Sequence, residues 1–107
     1  MRITIKQLRE RGACEGQQTD FLRAFPTGTT PPITPALCVK YAHVFNWNWA
    51  ARRLLTPANY QKWYIARLPY FDAWADGLLP TPAKRIAYAI EFGRLAETQR
   101  APRRVPK

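Results

Sequence analysis

Apolar side chains recur at intervals of three and four residues through most of the chain, the spacing of a single helical face. Alternation with period two is confined to Arg2–Ile5. In the first segment Ile5 and Leu8 share a face, and Thr4 stands three residues before Gln7 in the pattern of a capping box. The spacing predicts a helix over 5–11, stopped by Gly12. Phe21, Leu22 and Phe25 predict a second over 15–25, ended by Pro26. Residues 26–33, crowded with Pro, Thr and Gly, read as a loop.

Thr-Pro recurs at Thr34-Pro35, Thr56-Pro57 and Thr81-Pro82. Thr is a good N-cap, and Pro fits the first helical position because its missing N–H has no helical partner there. These pairs predict three further helix starts. Leu37, Tyr41, Val44 and Phe45 carry helix three from Pro35 toward Asn46, which can end it and cap a fourth holding Trp47, Ala50, Ala51, Leu54 and Leu55. A fifth runs from Pro57 to Arg67, with Tyr60, Tyr64 and Leu68 on its stripe and Trp63 beside it. A sixth over 82–98 turns Ile86, Ala89, Ile90, Gly93 and Leu95 or Ala96 inward.

Pro69 disfavours a helical residue before it and clashes with the carbonyl four back. A kink or break is expected there, then a short helix over 69–76 that buries Phe71 and Trp74 and closes at Gly77. Residues 101–107, Ala-Pro-Arg-Arg-Val-Pro-Lys, read as a flexible basic tail. The fold class expected is all-α: one compact domain over 1–100, a bundle of six or seven short helices.

Composition narrows the chemistry. Hydrophobic residues are 47% of the chain, which argues against disorder. No apolar run approaches the roughly 18 residues that cross a bilayer, and the N-terminal residues lack the apolar core of a signal peptide. The expected compartment is therefore a reducing cytoplasm, with Cys14 and Cys38 as free thiols. Two distant Cys and one His do not supply the four close ligands of a structural zinc site. The glycines are too scattered for a phosphate-binding loop, and the absence of Ser removes any Gly-x-Ser-x-Gly nucleophile. No catalytic residue, metal or cofactor is expected.

Charge changes the picture most. Seventeen Lys and Arg stand against seven Asp and Glu, a net charge of +10. The excess is uneven, +3 over residues 1–51 and +7 over 52–107. It points to an electropositive face for an anionic partner. The candidates are Arg52, Arg53, Lys62, Arg67, Lys84, Arg85 and Arg94, with Arg100, Arg103, Arg104 and Lys107 behind them. Lys84 and Arg85 are singled out because bases in a first helical turn oppose the helix dipole, a cost that a bound anion offsets. Trp49, Tyr64 and Tyr70 lie off the apolar stripes and are candidate stacking rings for single-stranded bases, while Trp47 and Trp74 are expected in the core. A solvated basic surface that serves only solubility is the competing explanation.

Other features read as structural. His43 has no acidic residue near it in sequence, Cys38 sits on an apolar stripe, and Cys14 has no paired base. Asp72 and Asp76 share a helix face with bases, as do Glu91 and Glu97. A helix-turn-helix at the junction of helices three and four lacks a turn Gly and would be crowded by Trp47 and Trp49.

The order Ile3-Thr4-Ile5-Lys6-Gln7-Leu8-Arg9, Gly12-Ala13-Cys14, Gln18, Phe21 to Pro26, Cys38-Val39-Lys40, Phe45-Asn46-Trp47-Asn48-Trp49-Ala50-Ala51-Arg52, Leu54-Leu55 resembles a family of small uncharacterised phage and prophage proteins, over roughly 3–75. Pro57-Ala58-Asn59-Tyr60 and Pro69-Tyr70-Phe71 look like degraded copies of that family's Ala-Pro-Ala-aromatic units. The chain departs from it at Asn46 and Asn48, where relatives carry Asp, and beyond residue 77. The resemblance implies a mobile-element origin and a bacterial host cytoplasm, and brings no activity with it. Together these readings lead to a non-enzymatic binding protein for nucleic acid or a nucleoprotein complex. The alternative is an anti-CRISPR-like inhibitor that docks on a host defence machine.

Overall fold

The computed structural model describes residues 1–68 and 82–99. Its helices are α1 (Ile5–Glu10), α2 (Glu15–Ala24), α3 (Pro35–Lys40), α4 (Trp47–Leu54), α5 (Pro57–Arg67) and α6 (Pro82–Thr98). Among the described residues there is no strand. One antiparallel bridge, Thr4 with Thr29, is what the brief alternation at the N-terminus becomes. The all-α single-domain reading stands. The break at Pro69, the piece over 69–76 and the tail over 101–107 lie outside the described residues.

The caps form as their chemistry requires. Thr4 Oγ1 accepts from Gln7 N at 3.1 Å while Gln7 Oε1 accepts from Thr4 N at 2.9 Å. Gly12, at φ +82, takes the chain out of α1 in a conformation that costs other residues strain. Thr34 and Thr56 each accept from the backbone N–H three residues on, ahead of Pro35 and Pro57.

α6 is the hub, packing on α3 most extensively and then on α5 and α4. Its buried face is Tyr88, Ala89, Phe92, Gly93 and Ala96. Tyr88 and Phe92 therefore take the inward places that periodicity assigned to Ile86 and Ile90, both half-buried. The cause is the small pair Ala89 and Gly93. A Cβ on Gly93 would stand 2.7 Å from Pro35 Cα and 2.9 Å from Thr34 O, so only glycine lets the start of α3 cross α6 this closely.

Two more expectations are corrected. α3 stops at Lys40, short of Asn46. Tyr41, Ala42 and Val44 then bond to the carbonyls of Cys38, Val39 and Tyr41, the tighter i to i+3 pattern. This winding buries Ala42 fully, aims its carbonyl at Trp47 Nε1 (2.9 Å) and turns Val44 outward, 47% exposed. In α5 the inward side chain is Trp63, 1% exposed, with its indole N–H on Tyr88 O at 3.1 Å. Tyr64 and Leu68, expected on the buried stripe, are exposed.

Residues 1–5 run beside 28–33, fixed by Ile5 N to Gly28 O, Thr30 N to Ile3 O and Ile33 N to Met1 O. Thr30 Oγ1, buried, accepts from Ile3 N. At the far end Gln99 acts as a clasp. Its Oε1 accepts from Thr56 N and Asn59 Nδ2, and its Nε2 donates to Leu54 O at 3.1 Å and approaches the Met1 sulfur at 3.5 Å. Beneath α2, α3 and α4 the core leaves an apolar cavity of about 60 Å³. An unfilled void of that size costs on the order of 1–1.5 kcal/mol.

Candidate anion-binding surface

Arg52 and Arg53 are exposed in the last turn of α4. The helix orients them: Trp47, Ala50 and Ala51 turn inward, and Asn46 Oδ1 fixes the start by accepting from Trp49 N at 3.0 Å. Arg11, immediately after α1, reaches the same place and donates Nη1 to Arg53 O at 3.1 Å. Three arginines from two segments thus meet at one helix C-terminus. The negative end of the α4 dipole favours bases there, so part of this arrangement stabilises the fold itself. Sequence spacing missed Arg11 because its partner is 42 residues away and is a backbone carbonyl.

Lys62 is exposed on α5. Among the described residues neither it nor Arg52, Arg53 or Arg11 lies within ion-pair distance of a carboxylate. Glu10, Asp20 and Glu91 are instead taken up on their own helices, by Lys6 at 3.8 Å, Arg23 at 3.7 Å and Arg94 at 3.1 Å. Arg94 is exposed but shares its charge with Glu91.

Arg67 is a correction. It was expected on the basic face and is 8% exposed. Its guanidinium lies 4.5 Å from the Tyr64 ring centroid and 5.3 Å from that of Trp63. Trp63 brings the position four residues on to the buried side, and the arginine stem packs while the head rests on ring faces. It is not presented to solvent.

Lys84 and Arg85 are both half-buried in the first turn of α6. Arg85 Nη1 donates to His43 O at 3.1 Å, tying α6 to the turn between α3 and α4. That contact supplies a structural reason for a base at this helix start. It uses one of the five N–H donors of the guanidinium.

The stacking candidates divide. Trp49 is half-buried and packed against the core, so it is no open platform. Tyr64 is 38% exposed, with Arg67 over its ring and the Tyr60 ring edge-on at 6.3 Å. Tyr70 lies outside the described residues. On the same face of α5, Ile65 and Leu68 are 55% and 48% exposed.

His43 is exposed, and Cys14, the N-cap of α2, is an exposed free thiol. Cys38 is a free thiol in the core, where burial pushes its pKa up to about 12 and holds it neutral. Among the described residues no three His, Cys, Asp or Glu come together as a metal site, and no helix is long and apolar enough to cross a membrane. No family model, curated protein or solved structure matches the chain. The surface is therefore read from its own chemistry.

Proposed function

We propose that this chain is a non-enzymatic binding protein, carried by a phage or prophage and acting in the bacterial host cytoplasm. Its basic surface engages the phosphate backbone of a nucleic acid, free or within a nucleoprotein complex. The observation that carries this reading is the convergence of Arg11, Arg52 and Arg53 at the end of α4 with no carboxylate beside them. Lys62 adds to the exposed charge on α5, and Lys84, Arg85 and Arg94 remain secondary candidates. Guanidinium groups in this setting bind phosphate oxygens in pairs and carry little base specificity of their own.

The test is a titration of fluorescently labelled single- and double-stranded DNA and RNA across a salt series. Affinity should fall by about 0.9 log unit per log unit of salt for each duplex phosphate neutralised. A flat response, or no binding at low salt, overturns the reading.

A second reading, an anti-CRISPR-like inhibitor docking on a host protein machine, is favoured by one feature. Tyr64, Ile65 and Leu68 form an exposed apolar strip on α5 near Lys62, a composition closer to a protein interface than to a phosphate-binding groove. A pull-down from bacterial lysate separates the two. A protein partner retained after nuclease treatment favours the inhibitor, and one lost with the nucleic acid favours direct binding.

A further inference from the structure

The cavity beneath α2, α3 and α4 stands apart from the basic surface and is built differently. Its walls are Phe21 and Phe25 from α2, Leu37 and Cys38 from α3, Tyr41 and Phe45 from the turn, and Trp47, Trp49, Ala50 and Leu54 from α4. The rings brace one another. Phe25 lies 5.1 Å from Tyr41 and stacks on Phe45 at 6.4 Å and 12°, Phe45 meets Trp47 edge-on at 6.1 Å, and Phe21 meets Phe25 at 5.2 Å. Such walls hold a shape instead of collapsing into the void. Asn46, exposed, also borders the cavity and marks its mouth.

Water is a poor occupant. Cys38 contributes a neutral thiol. The bordering polar side chains are engaged: Thr30 Oγ1 with Ile3 N, Asn46 Oδ1 with Trp49 N, and the Trp47 indole N–H with Ala42 O. A buried water needs two to four polar partners, and apolar cavities without them stay dry and accept apolar ligands. One water-sized sphere takes roughly 10–15 Å³, so the 60 Å³ here holds about four to six such spheres. That is the space of one small ring.

We propose that this cavity is a binding site for a small, uncharged, planar aromatic molecule of about six ring atoms, entered past Asn46 and held by face and edge contacts with Phe25, Tyr41, Phe45 and Trp49. Charged or strongly polar molecules of the same size are excluded, because no free donor or acceptor inside replaces their hydration.

Benzene is the probe. Added to the full chain, it should bind with a Kd on the order of a millimolar. At about five times Kd it should raise Tm by roughly 4–8 °C. In ¹H–¹⁵N spectra the indole N–H signals of Trp47 and Trp49 should move, while that of Trp63, which does not border the cavity, stays in place. Cys38→Leu fills the space and should abolish both effects. Phenol and benzoate at the same concentrations should bind progressively more weakly. If the Trp47 and Trp49 signals hold still up to the solubility limit of benzene, or Trp63 moves equally, the site does not exist. Undiminished binding to folded Cys38→Leu protein likewise overturns it. The wild-type titration decides the matter even if that variant does not fold.

Discussion

A methyl group at residue 93 has nowhere to go. The atoms it would meet, Pro35 Cα and N and Thr34 O, are backbone and cannot rotate aside. Gly93→Ala should therefore destabilise by about 1–3 kcal/mol through overpacking, read as a lower midpoint in urea. Gly16 is the matched control. It lies in α2, a Cβ there meets nothing within 4 Å, and its φ is not positive. Gly16→Ala should stabilise by about 0.4–1 kcal/mol, by restricting the unfolded chain. Cys38 gives a second test at this scale. Its thiol pKa is 9.0 when unperturbed and about 12 in the fold. Above pH 9 the unfolded chain loses the proton first, so this contribution to stability is intact below pH 9 and is lost as pH rises toward 12. Between pH 7 and pH 10 the loss should be about 1.4 kcal/mol. The stability difference between the native sequence and Cys38→Ala should shrink by that amount over the interval. A thiol reagent at pH 8 should modify only Cys14 in the folded protein and both cysteines in denaturant.

At the scale of elements, α4 is eight residues long and rests on a single side-chain cap. Helices this short are marginal alone, so terminal bonds matter. Asn46→Ala should cost about 1 kcal/mol, whereas Asn46→Asp should be neutral or gain a few tenths, because a carboxylate accepts the same bond and suits the helix dipole. Thermal melts of the two variants separate them. The helices whose ends carry local chemistry were legible in the sequence. Thr4 with Gln7, Thr34-Pro35, Thr56-Pro57 and Asn46 each mark a start that the structure uses, because a cap is an interaction within four residues. What was not legible depends on distant contacts. The end of α3 at Lys40 is set by the turn that sends the Ala42 carbonyl to Trp47. The inward face of α6 is chosen by the approach of Pro35, and the burial of Arg67 by Trp63 turning onto Tyr88. The candidate surface divides along the same line. Arg52, Arg53 and Lys62 could be read from charge alone, but Arg11 joins them only through the tertiary fold, and Arg67 leaves them for the same reason.

For the whole molecule, the +10 charge acts in two ways that substitution can separate. Arg52→Glu with Arg53→Glu places acids at the negative end of α4, which should lower stability by about 0.3–1 kcal/mol per site. It should also weaken nucleic-acid binding and flatten its salt dependence. Lys84→Glu with Arg85→Glu suits the start of α6 electrostatically but removes the Arg85 bond to His43. If the α4 arginines are the principal phosphate contacts, the first pair should reduce affinity at 50 mM salt more than the second. The reverse order in a filter-binding assay would return the principal role to Lys84 and Arg85. The Gln99 clasp has a consequence of another kind. By touching Met1 on one side and the Leu54–Asn59 corner on the other, it brings residues 1 and 99 within a few ångströms of each other. The described domain is thus a closed loop in all but covalent connection. A circular permutant that joins residue 99 to residue 1 through a short Gly-rich linker, with new ends at the exposed Pro31–Pro32 bond, should keep the same helices. The order in which this chain is threaded would then be shown to matter less to its final shape than the contacts that close it.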